Sequence, residues 1–108
     1  MNTRQIGRKL ESFVADYLKE IDSTARPTKN SGASNQIADI LNLYFYIECK
    51  KRNTENITIK SKTWRKLCNE IPVGSTKIPL YINSNVHNET FVSLDIKDFI
   101  NILKQIYK

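Results

Sequence analysis

The chain has 108 residues, 40% of them hydrophobic and 26% charged, and a formal net charge of +6 from 17 basic and 11 acidic side chains. That length holds one domain with one core, taken here as 1–108, and that composition excludes a disordered chain. The longest purely apolar run, Leu43 to Ile47, is far below the ~20 residues of a membrane-crossing helix. The opening MNTRQIGRKLES has no apolar signal core, so an intracellular, cytoplasmic protein with no membrane partner is expected.

In chain order, Ile6, Leu10, Phe13, Val14, Tyr17, Leu18 and Ile21 recur at helical spacing and predict an amphipathic helix over 3–22. Glu11 falls at the edge of that stripe, where a side chain can face a cleft beside the core. Residues 23–38 are small, polar and turn-rich, with a short strand expected at about 24–28, where Pro27 holds Arg26 extended, and a turn at Ser31-Gly32. Residues 37–41 read as a strand, Asn42 as a turn and Leu43 to Lys50 as a second strand, together a tight antiparallel pair. After the loop 51–56, Ser61 or a neighbour caps a helix that buries Trp64, Leu67, Cys68 and Ile71. Trp64 at this spacing suits a core or a dimer interface better than a base-stacking platform.

Pro72-Val73-Gly74 ends that helix. KIPLYIN and ETFVSLD follow as two strands around a polar turn holding His87, the only histidine, read as a surface loop residue. Asp95 then caps a last helix, with Phe99, Ile100, Leu103, Ile106 and Tyr107 facing inward. The order α-β-β-β-α-β-β-α places the chain in the mixed α/β class. Cys49 and Cys68 are too few for a disulfide framework and lack zinc-site spacing, so they read as small core residues.

The charge is uneven. Lys50 to Lys66 holds seven basic residues against Glu55 alone. That local excess suits a polyanion, with nucleic acid the default, or else a solvated basic face.

Strand alternation sends Glu48 and Lys50 to one face and Cys49 to the other, and a hairpin-like return could place Asp39 next to Glu48. Two close carboxylates raise each other's pKa unless a cation sits between them, and a hard ion such as Mg²⁺ prefers such oxygen ligands. Acid, acid and lysine together suit a metal-dependent phosphodiesterase centre. The plainer alternative is a solvent-facing Glu48–Lys50 pair at a strand end, with Asp39 a turn residue.

The segment 38-AD-39 followed by 48-ECK-50 resembles the PD-(D/E)XK nuclease motif, with Ala38 where the family usually has proline. The stretch 7-GRKLESFVADYL-18 resembles the first helix of archaeal and phage Holliday junction resolvases, 31-SGAS-34 their serine- and glycine-containing loop, and 91-FVSLDIKDFINIL-103 their last strand and helix. The likeness spans about residues 4–105. It implies a restriction-endonuclease-like core, a central mixed sheet flanked by helices. Glu11, Asp39 and Glu48 would be metal ligands for Mg²⁺, with Mn²⁺ able to substitute. Lys50 would orient or activate water, and Ser31 would act at the scissile phosphate or on the DNA backbone. Lys51, Arg52, Lys60, Lys62, Arg65 and Lys66 would contact phosphates, and Arg4, Arg8, Lys9, Arg26 and Lys29 would extend that surface. The resemblance further implies a homodimer cutting four-way DNA junctions, and suggests a phage or prophage origin. Two alternatives stand beside it: another nuclease of the same fold acting on duplexes, flaps or ends, and a DNA-binding protein on this fold that does not cut.

Overall fold

A computed structural model describes residues 3–28 and 38–107, with side chains from Lys9 onward in the first helix. The elements are α1 (Thr3–Leu18), β1 (Arg26–Pro27), β2 (Ile40–Leu41), β3 (Phe45–Lys51), α2 (Ser61–Glu70), β4 (Ile78–Ser84), β5 (Thr90–Ser93) and α3 (Ile96–Ile106). This is the order expected from the sequence. The five strands form one mixed sheet in the order β1-β2-β3-β4-β5. Only β3 and β4 run parallel, because α2 crosses over between them; the other pairs are antiparallel.

Alternation along β3 divides the core in two. Phe45, Ile47 and Cys49 face α1 and pack with Leu10, Val14, Ile40, Leu80 and Ile82. Tyr46 faces α2 and packs with Ala38, Leu67, Tyr81, Trp64 and Ile71. Glu48 and Lys50 follow Tyr46 on that α2 side. No helix among the described residues is long and apolar enough to cross a membrane.

Three expectations are corrected. Helix α1 stops at Leu18 rather than at residue 22. There Asp22 turns back, and its carboxylate accepts hydrogen bonds from the Thr24 N–H and hydroxyl and, at 2.7 Å, from the Leu43 N–H. These bonds, the Thr24 hydroxyl foremost, hold the Asp22 carboxyl below its ordinary value. The carboxylate takes the amide of a distant turn in place of a further helical turn, and Ile21 is left exposed. Second, β3 begins at Phe45 rather than Leu43. The buried Asn42 side chain accepts from the N–H groups of Tyr44 and Phe45, which closes the hairpin and turns Leu43 and Tyr44 outward.

Third, α3 has its Asp95 cap, with the carboxylate accepting from the Lys97 N–H at 2.8 Å, but no residue of α3 is buried. Phe99, Ile100, Ile106 and Tyr107 all remain exposed, Tyr107 at 80%. The helix follows the edge strand β5, and among the described residues none of α3 is buried.

Candidate active site

The site is built where β2 stops short. Ile40 pairs with Ile47, and the same register taken one step further sets Asp39 across from Glu48. The Asp39 N–H donates to the Ile47 carbonyl at 2.8 Å. With no further β2 residue in the ladder, the Cys49 N–H turns to the Asp39 side chain and donates to Oδ2 at 2.8 Å. From the other side, the Thr28 N–H donates to the Asp39 carbonyl at 3.0 Å, and the Thr28 hydroxyl donates to the Ala38 carbonyl at 2.9 Å. Asp39 is therefore fixed on both sides of Glu48, by backbone groups that do not depend on side-chain packing.

The shifted groups at this end influence one another. Burial first, then the charges of Asp39 and Glu70, push the Glu48 carboxyl up to about 7; Lys66 opposes and Glu11 adds to the rise. Burial also raises Asp39, against the Cys49 N–H bond; Glu70 adds to the rise and Lys50 opposes it. The Cys49 thiol is pushed up by burial, with Asp39, Glu11 and Glu48 contributing. The buried Tyr46 hydroxyl is likewise raised by burial and then by Glu70, Glu48 and Asp39. Four carboxylates, from α1, the β2 approach, β3 and the end of α2, thus share one field.

The predicted residues separate into groups. Asp39 lies across from Glu48 in the strand register, Lys50 follows on the same face, and Glu11 on α1 adds only the smallest contribution to the field at Glu48. Ser31 and Lys29 lie outside the described residues, and Arg8 falls on α1. Lys62, Arg65 and Lys66 line a groove of about 370 Å³ on α2 that ends at Asn69 and Glu70. Lys60 occupies the N-cap position of α2 without a side-chain cap bond. Arg52 hydrogen-bonds the Tyr81 hydroxyl, and burial raises that hydroxyl despite the guanidinium. Lys51 points to the opposite face from Lys50. Its ammonium donates to the Asn85 carbonyl and to Asn88 Oδ1, clasping the β4–β5 turn where Asn88 takes a positive φ of 63°.

Sequence reasoning missed Glu70 and Tyr46. Glu70 lies three residues after Leu67, the buried residue of α2, a spacing that turns it toward the sheet. Tyr46 shares the period-two face of Glu48 and Lys50.

The donor set is all carboxylate oxygen, and burial first, then the neighbouring carboxylates, lifts Glu48 to about 7. That chemistry fits a hard divalent cation. Among the described residues no three acidic, Cys or His side chains stand together as a ready chelate. Mg²⁺ keeps several waters and commonly takes only one or two carboxylates plus phosphate oxygens.

No protein family, curated protein or solved structure matches the chain in comparison.

Proposed function

We propose that this chain is a metal-dependent DNA endonuclease of the PD-(D/E)XK type that resolves four-way junctions as a homodimer. The observation that carries the reading is Asp39 pinned by backbone bonds to the residues on either side of Glu48, with Lys50 next on the same face. A buried Asp39 beside a half-buried Glu48 is a costly arrangement in a structural role, and a cation relieves it.

Asp39 and Glu48 would hold Mg²⁺, with Glu11 joining directly or through water, and Mn²⁺ would substitute. The ion would supply a more acidic water and charge stabilisation at the phosphate. Lys50 brings a positive charge to the same face, where it orients the attacking water and offsets charge on the phosphate. Lys62, Arg65 and Lys66 hold the DNA backbone in the groove that ends at Glu70 and read no bases. The uncovered apolar face of α3 supports a second copy as its cover, and a two-fold dimer presents two sites to the two strands that a junction must have cut.

The test is an end-labelled four-way junction beside a linear duplex of the same arms, each with Mg²⁺ and with EDTA, for the wild type and Asp39→Ala. Paired nicks in the junction alone, dependent on Mg²⁺ and absent in Asp39→Ala, are the expected result. Equal cutting of the duplex would replace junction resolution with general nuclease activity. Binding without cutting, in Mn²⁺ as well, would overturn the enzymatic reading.

A further inference from the structure

Three asparagines are buried among the described residues, and two are fully engaged. Asn42 bonds through both ends of its amide to the Ile40 and Phe45 backbone and to the Tyr44 N–H. Asn85 donates to the Glu55 carbonyl and to Glu89, and accepts from the His87 and Glu89 N–H groups. Asn83 differs. It is 1% exposed, among the most fully buried side chains in the protein, and neither its Oδ1 nor its Nδ2 has a hydrogen-bond partner.

An unsatisfied buried amide is costly, and an aliphatic side chain of the same size would suit the position better for stability alone. Neighbouring β4 positions are indeed apolar, with Leu80 and Ile82 buried against α1. Asn83 alternates to the other face, the α2 side, with Tyr81. Its neighbours on the ladder are Lys50 on β3 and Phe91 on β5, as Tyr81 is the neighbour of Glu48. Adjacent strands lie about 4.8 Å apart, so the side chains of a same-face pair adjoin. Phe91 offers no polar atom. Lys50 offers an ammonium with three protons and a flexible stem.

We propose that Asn83 is a positioning residue for Lys50, its Oδ1 accepting a hydrogen bond from the ammonium, directly or through one water, and fixing where that charge stands beside Glu48. The importance of that position for cutting rests on the nuclease reading above; the Asn83–Lys50 contact does not. The device is economical in geometry. The parallel ladder sets Glu48 against Tyr81 and Lys50 against Asn83, so one rigid strand, β4, backs both functional residues of β3.

The first measurement involves no DNA. Side-chain order at the Lys50 ε-methylene is measured by NMR relaxation in the wild type, Asn83→Leu and Asn83→Asp. Order is expected to fall in Asn83→Leu to that of the other exposed lysines and to persist in Asn83→Asp, which keeps the acceptor oxygen. Conversely, Lys50→Met, at an exposed position, should move the Asn83 side-chain amide resonances. This reciprocal readout stands even if Asn83→Leu folds poorly. Unchanged Lys50 order in a folded Asn83→Leu, or Asn83 resonances unmoved in Lys50→Met, would overturn the inference whatever the protein does to DNA.

The second measurement is kinetic. Asn83→Leu should lower kcat on a junction ~10-fold or more with KM unchanged, as expected of a misplaced functional group. Asn83→Asp should stay within a few-fold of wild type. In a Lys50→Met background Asn83→Leu should cost nothing further. Additive losses would overturn positioning through Lys50. A wild type that cuts nothing, while the NMR contact is present, would sink the nuclease reading and leave the contact standing.

Discussion

The β2–β3 end and the β5–α3 end of this molecule break the usual rule of folding in opposite directions. At the first, charged groups are drawn inward: Asp39 is buried, and Glu48 is hidden enough to hold its proton near neutrality. At the second, large apolar groups face outward along α3 and β5, including Phe91, Ile96, Phe99, Ile100 and Ile106. Exposed apolar residues scattered singly say little, and so do surface charges; buried charge and a contiguous apolar face are the informative departures. Each end is incomplete in its own way. Among the described residues, the charges that oppose the rise of Asp39 and Glu48 are those of Lys50 and Lys66, and no residue of α3 is buried. The proposed function supplies a divalent cation for one end and a second copy for the other.

The strongest way to break this comparison is to neutralise the acidic end without changing its shape. Asp39→Asn and Glu48→Gln should each lower cutting by ~1,000-fold or more, about 4 kcal/mol in the barrier, while the fold persists. End-labelled cleavage with a parallel thermal melt separates the two effects. A variant that still cuts would remove its residue from the site. Next in size is the apolar end. Phe99→Asp combined with Ile100→Asp should weaken self-association by ~100-fold, about 3 kcal/mol, by setting two charges in the uncovered face. Sedimentation should then give the monomer mass. A wild type already monomeric at micromolar concentration would end the homodimer reading.

A third expectation joins the acidic end to stability. The Glu48 carboxyl, ordinarily at 4.5, is raised to about 7 in the folded chain. Between those values the folded state keeps a proton that the unfolded chain has released. Its contribution is therefore full below 4.5 and is lost as pH rises through about 7. Asp39, also raised, works in the same sense. Because Glu48 is only partly buried, the loss should be on the order of 2 kcal/mol rather than the full value of the shift. Urea unfolding in EDTA across pH 4 to 8 should show that decline, and Glu48→Gln should flatten it. Mg²⁺ should stabilise the wild type more at pH 8 than at pH 5. A flat profile in the wild type would mean that Glu48 is ionised and solvated, and that the acidic end needs no cation.

The acidic end was legible in the sequence and the apolar end was not, for one physical reason. Strand alternation and a tight hairpin are local rules, so Asp39, Glu48 and Lys50 could be brought together from their spacing alone. What covers α3 is a question of tertiary geometry. The stripe of Phe99, Ile100, Leu103 and Ile106 is a correct sign of an amphipathic helix, yet periodicity says only that a face must be covered, not by which molecule. Glu70 was missed for a related reason, since its approach to Glu48 depends on how α2 crosses the sheet. The early end of α1 depends on Asp22 reaching the Leu43 amide 21 residues away, which no local pattern encodes. Asn83 reads in the sequence as one polar residue in a strand, and only its burial without partners sets it apart.

The smallest expected effect tests whether the basic groove on α2 belongs to the acidic end. Lys62, Arg65 and Lys66 line it with Glu70 at its limit, and Lys66 already opposes the rise of Glu48. If this groove carries the DNA backbone, each cation neutralises a phosphate and releases a counterion. Arg65→Ala should then weaken junction binding by about 1 kcal/mol and lower the slope of log affinity against log salt by about 1, equally for all sequences. Lys51→Ala should behave differently, because that ammonium is already engaged by Asn85 and Asn88 on the far face of β3. Its loss should lower the melting temperature and leave the salt slope unchanged. Fluorescence anisotropy at several salt concentrations, with catalysis blocked by EDTA, distinguishes them. If Lys51→Ala changed the slope and Arg65→Ala did not, the DNA would run along the α1 side of the sheet, away from Glu48, and the acidic end would lose its substrate.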